Sequence, residues 1–153
     1  MRVCLGGTFN TLHKGHKLLI STALNCAGKE GIVFIGIAIG DLIKKKKNIK
    51  SFEDRKDHIV SFLSTQSKIP TVIIEPIANI FGPTLTNDYD AIVVSHETVQ
   101  NARLINTERK KRNLTTMKII EIPLVKAKDG KPISSTRIQS GEISGDGEVF
   151  SDY

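Results

Sequence analysis

Tryptophan is missing altogether from the 153-residue chain, and aromatic residues make up only 5% of it. With so few rings, a core has to be assembled from Ile, Val and Leu, the residues that fill parallel sheets buried on both faces. The same scarcity argues against a single-stranded nucleic-acid platform, which stacks bases on aromatic side chains. Cysteine is almost as scarce. Cys4 and Cys26 stand alone, with no C-x-x-C pair and no histidine-rich cluster, which argues against a zinc site or a disulfide framework. Both are expected to behave as small buried hydrophobes in a reducing compartment. No apolar run approaches the roughly 18 residues needed to cross a bilayer. The opening Met-Arg-Val-Cys-Leu runs straight into glycines, without the apolar stretch of a secretory leader. The expectation is a cytoplasmic protein with no membrane partner.

What is present suits one globular domain spanning residues 1–153, with a core over about 1–141 and a polar, loosely held tail over 142–153. The formal net charge is +6. Much of the excess lies in Lys44-Lys45-Lys46-Lys47, with Lys50 close behind, and in Arg109 to Arg112. Such a balance favours polyanions, either nucleic acid or a phosphorylated small molecule.

Apolar runs alternate with helical spacing. Val3 to Leu5, Ile32 to Ile39, Thr71 to Ile77, Ala91 to Ser95 and Lys118 to Leu124 read as strands. Between them, His16 to Ala27, Ser51 to Thr65 and Glu97 to Arg112 read as helices, and a short helix begins near Ser135. Leu19, Ile20, Ala23, Leu24 and Ala27 share one face of the first, and Ile59, Phe62 and Leu63 one face of the second. Strand–helix alternation predicts a doubly wound, Rossmann-like parallel α/β sheet. Ligands of such sheets gather beyond the carboxyl ends of the strands, where the strand order reverses.

Two segments carry chemistry. The first, Gly6-Gly7-Thr8-Phe9-Asn10-Thr11-Leu12-His13-Lys14-Gly15-His16, joins the first strand to the first helix. Its glycines admit close approach of a ligand, and the free amides of the first helical turn favour an anion. It is neither a Walker A loop nor G-x-G-x-x-G. The two histidines have no third partner in sequence that would make a zinc site, and no metal site is expected. The second segment, Ile133-Ser134-Ser135-Thr136-Arg137-Ile138, places three hydroxyls and a guanidinium at a helix start, a set that suits phosphate oxygens as well as a plain N-cap.

His13-Lys14-Gly15-His16 resembles the H-x-G-H motif of the nucleotidyltransferase superfamily, Gly7-Thr8-Phe9 its G-T-F, and Ile133 to Ile138 its C-terminal I-S-S-T-x-I. Val93-Val94-Ser95-His96-Glu97-Thr98, with Gly82-Pro83-Thr84, is similar to segments of the archaeal and eukaryotic phosphopantetheine adenylyltransferases. The bacterial enzymes carry arginines after strand four, where this chain has Ser95, His96 and Thr98. The resemblance implies a five-stranded parallel sheet in the order 3-2-1-4-5 and adenylyl transfer from ATP to 4'-phosphopantetheine, with Mg²⁺ brought by the ATP. It assigns His16, His13 and Lys46 to catalysis. It assigns ATP to Gly7, Thr8, Phe9, His13, His16, Ser95, Asn106, Ser134, Ser135, Thr136 and Arg137, and the acceptor to Thr8, Asn10 and Lys46. Lys46 is picked from the lysine run by counting back from Arg55. Other readings are transfer to a different phosphorylated acceptor such as NMN, cytidylyl transfer, or a basic nucleic-acid-binding module. A monomer or small homo-oligomer is expected.

Overall fold

The computed structural model describes residues 1–150. The chain runs β1 (Arg2–Gly7), α1 (Lys14–Ala27), β2 (Ile32–Ala38), α2 (Phe52–Ser64), β3 (Thr71–Ile77), β4 (Ala91–Val94), α3 (Val99–Lys111), β5 (Lys118–Glu121) and α4 (Ser135–Gln139), with one 3₁₀ turn at Gly40–Leu42. All strand pairings are parallel, in the order β3-β2-β1-β4-β5, as the sequence reading expects. Among the described residues no helix is long and apolar enough to cross a membrane.

Alternation along the strands builds two separate cores. Val3, Leu5, Val33, Ile35, Ile37, Ala91 and Val93 face α1 and α2. Cys4, Phe34, Ile92 and Val94 face the other way, against α3 and Tyr89. The five apolar residues expected on α1 are all buried. On α2, Ile59 and Leu63 are buried and Phe62 packs at the margin. Burial pushes the Cys4 thiol up to about 12, so it is an inert core residue.

Strand β1 runs longer than the expected Val3 to Leu5, and of the other shifted ends three have clear local reasons. Helix α1 starts at Lys14, two residues before His16, because the His13 ring caps it. Helix α3 starts at Val99, because Thr98 and Val99 both bond back to Ser95 O and make a turn of residues 95–98. Strand β5 stops at Glu121, two residues ahead of Pro123, which has no N–H to give a ladder.

The segment after Gly141 has an anchor within residues 142–150. Ile143, 1% exposed, packs with Ala127 and Ile133 into a third small cluster, and Ile143 bridges Val149. Residues 151–153 lie outside the described part of the chain.

Candidate active site

Strand order reverses between β1 and β4, and the ladder shows an opening there. β1 pairs with β2 from Arg2 through Gly7, but with β4 only at Val3 and Cys4. Beyond those residues the two central strands are no longer laddered, and the β1–α1 loop begins at this crevice. The loop is shaped from within. Phe9 has a positive φ of 50° and no exposed surface. Its ring folds back over Gly7, where an added Cβ would lie 3.2 Å from it, and sits 5.2 Å from the ring of His16.

The two histidines form one unit. His13 Nδ1 accepts from the backbone N–H groups of Gly15 at 3.0 Å and His16 at 3.3 Å, taking up amides that the first helical turn would otherwise leave free. A Cβ on Gly15 would come within 2.9 Å of the His13 ring, which explains the glycine between the histidines. The rings stack at 3.8 Å between centroids. Because Nδ1 of His13 is an acceptor, its ring proton belongs on Nε2. Nδ1 of His16 lies 2.9 Å from Thr11 O and 3.4 Å from the His13 amide. The shorter contact favours a proton on Nδ1, donated to Thr11 O.

Burial pushes His13 down to about 4. It pushes His16 down to about 3, helped by the neighbouring His13 and Lys46 and opposed by the Thr11 carbonyl. Both rings are therefore neutral at pH 7 in the free protein. An unfolded histidine titrates near 6.5. Between about pH 6.5 and 4 the unfolded chain thus binds more protons than the folded one, so stability is complete above this window and falls as the pH drops through it. We expect thermal melts to show a loss on the order of 2 kcal/mol between pH 7 and about pH 5.5, roughly 1 kcal/mol from each histidine. Replacing both histidines by asparagine should flatten that slope; an unchanged slope would assign it to other groups.

Lys46 is the lysine of its run that reaches this unit: Nζ donates to Thr8 Oγ1 at 2.5 Å. The structure thus brings together Gly7, Thr8, His13, His16 and Lys46. It also brings the C-terminal segment onto the loop, since Lys14 N–H donates to Gly145 O at 3.0 Å.

Other expected site residues are placed differently. Phe9 is wholly buried and shapes the loop from behind, with no surface to offer a nucleotide. Asn10 is 2% exposed, and both ends of its amide are used, on Asn48 O and Lys50 N–H. Asn106 brackets Met117, donating to its carbonyl and accepting from its N–H, each at 2.8 Å, and so ties α3 to β5. The Ser95 hydroxyl accepts from Glu97 N–H in the turn after β4. Ser134 caps α4 by accepting from Arg137 N–H, and Thr136 is exposed. The side chain of Ser135 lies outside the described residues. Arg137 pairs with Asp129 at 2.5 Å and with Glu142, and donates to Pro132 O. These contacts organise the C-terminal segment itself.

Arg55 is the residue that sequence reasoning passed over. It is 2% exposed and donates to the carbonyls of Thr8, Ala38, Lys50 and Ser51. The available signal was its spacing: Arg55, Ile59 and Leu63 lie four residues apart on one buried stripe.

A cytidylyltransferase-like family model matches residues 4–141. The phosphopantetheine adenylyltransferase of Methanosarcina acetivorans is 38% identical over 150 residues, covering 97% of this chain and 95% of that protein. The enzyme of the same name from Archaeoglobus fulgidus is 35% identical over 151 residues, covering 98% and 100%. A crystal structure of an Archaeoglobus fulgidus protein of unknown function superposes with a TM-score of 0.71 at 30% identity, over 80% of this chain and 90% of that one. Similarity that runs the length of whole proteins, and not merely through a motif, places this chain in the phosphopantetheine adenylyltransferase family of the cytidylyltransferase-like nucleotidyltransferases.

Proposed function

We propose that the protein transfers the adenylyl group of ATP to the phosphate of 4'-phosphopantetheine, giving dephospho-CoA and pyrophosphate in the cytoplasm. The observation that carries this reading is the convergence of His13, His16, Thr8 and Lys46 at the carboxyl end of β1, beside the β1–β4 opening. An acceptor phosphate oxygen forms a bond to the α-phosphorus, while the bond from that phosphorus to the bridging oxygen of pyrophosphate breaks. The acceptor is already an anion at neutral pH, so neither a strong base nor a covalent intermediate is required. Positioning and charge neutralisation carry the rate.

In this reading His13 gives the triphosphate a neutral Nε2–H donor. His16 donates to Thr11 O through Nδ1 and takes a second proton from solvent as the phosphate anions approach, becoming a donor at Nε2 as well. Lys46 and the Thr8 hydroxyl hold the reacting phosphates, and Ser134, Thr136 and Arg137 receive the β- and γ-oxygens, for which Arg137 must release a carboxylate. Among the described residues no cluster of three His, Cys, Asp or Glu could hold a metal. Magnesium would therefore come as MgATP, with most of its ligands supplied by the phosphates and water, and would neutralise phosphate charge.

The direct test is incubation of the purified protein with MgATP and 4'-phosphopantetheine, following dephospho-CoA and pyrophosphate by chromatography. Stoichiometric formation of both is expected, with little turnover when NMN replaces the acceptor or CTP replaces ATP. Faster turnover with either replacement would reassign the substrate.

A further inference from the structure

The loop that delivers Lys46 leaves β2 after Ala38 and enters α2 through Ser51. Both of its feet are fastened by one buried side chain. Arg55 Nη1 donates to Ala38 O at 2.7 Å, where the loop begins. Its Nε donates to Lys50 O at 2.9 Å and to Ser51 O at 3.3 Å, where the loop ends. Nη1 also donates to Thr8 O at 3.1 Å, the residue whose hydroxyl Lys46 touches. Asn10 adds a second fastening, donating from Nδ2 to Asn48 O at 3.0 Å and accepting from Lys50 N–H at 2.7 Å.

Arg55 pairs with no carboxylate among the described residues. A buried guanidinium without a counter-ion is costly unless its donors are satisfied. Here carbonyls from three chain segments satisfy it, and burial draws its pKa down. That is an expensive way to join loops if joining were its only effect. A leucine on the same stripe would pack against Ile59 and fix neither foot of the loop.

We propose that Arg55, assisted by Asn10, is a positioning residue: it sets the span of loop 39–50 so that Lys46 Nζ meets Thr8 at the phosphate site. The proposal rests on the adenylyl-transfer reading for its rate consequences, but the geometry it asserts is independent of the acceptor.

The test combines rates with a direct view of the lysine. Arg55→Met and Asn10→Ala are each made alone and on a Lys46→Ala background, and assayed well below their melting temperatures. Arg55→Met is expected to lower kcat by roughly 10- to 100-fold in the wild-type background, as a displaced phosphate ligand would. Asn10→Ala should act in the same direction by less. On the Lys46→Ala background neither should lower kcat by more than about twofold, because the group they position is gone. Equal losses on both backgrounds would show a general structural role and overturn the proposal. Arg55→Lys should recover little, since an ammonium cannot span carbonyls in the fan a guanidinium reaches.

A second readout needs no turnover. Reductive ¹³C-methylation of the lysines, with Lys46→Arg used for assignment, gives the NMR signal of Lys46. That signal should move to the position of an ordinary surface lysine in Arg55→Met and in Asn10→Ala. An unmoved signal in both would overturn the proposal, whatever acceptor the enzyme uses. Should Arg55→Met not fold, Asn10→Ala carries both measurements.

Discussion

Replacing His16 by alanine is expected to lower kcat by about 10²- to 10³-fold while ATP still binds. That magnitude is typical for loss of one preorganised donor at a developing negative charge. His16 suits the role because its ring is held from two sides, by Thr11 O at Nδ1 and by the stacked His13 ring. A ring held in this way need not reorient as charge builds on the α-phosphate. The affinity for ATP should change little, because His13 and Lys46 remain. His13→Ala differs in kind. It removes the helix cap as well as a phosphate ligand, so about 1 kcal/mol of stability should go with the activity. Single-turnover kinetics separate binding from chemistry. A near-normal chemical step in His16→Ala would remove the role assigned here.

The largest expected loss of stability comes from a residue far from the chemistry. Gly31→Ala should cost about 3 kcal/mol, at the upper end for overpacking. An added Cβ would lie 2.3 Å from Ala27 O and 2.5 Å from Met1 O. Both are backbone atoms, so no side-chain rotation relieves the clash. The last turn of α1 and the start of the β1–β2 ladder would have to separate, although Ile32 N–H bonds to that same Met1 carbonyl. The melting temperature should fall by roughly 10 °C. Gly145→Ala is the control. Nothing lies within 4 Å of its Cβ and its φ is not positive, so a change within about 0.5 kcal/mol is expected. If Gly31→Ala melts no lower than Gly145→Ala, the close backbone approach is wrong.

The sheet was legible because its signal is redundant. Ile32 to Ile39 cannot be a surface segment, and the stripe from Leu19 to Ala27 has one inner face. The motif at Gly7 to His16 was legible because its residue types are uncommon together. The supporting residues were not. In the sequence Arg55 serves only as a landmark for picking Lys46 and Arg109 only as part of a basic run, yet they are 2% and 1% exposed. Arg109 reaches Thr84 O, Asn87 O and Thr115 O, pinning the loop that crosses from β3 to β4. Which basic side chains turn inward depends on where loose carbonyls fall after folding, and local spacing holds only a trace of that. Asn10 and Asn106 carry the same lesson. Their residue type suits a ligand, but the fold uses both amides on its own backbone. Ile143 was hidden because it stands alone among polar neighbours, with no periodicity to mark it.

The third cluster has a consequence for how the molecule opens. Ala127, Ile133 and Ile143 form a core of their own, apart from the two faces of the sheet. A patch of three side chains has little cohesion beside the sheet, and such regions come apart in sub-global fluctuations that leave the rest intact. The hydroxyl-bearing helix α4 rides on this patch. The helix that carries those hydroxyls can therefore breathe on a lower free-energy scale than the sheet-backed loop that carries the imidazoles.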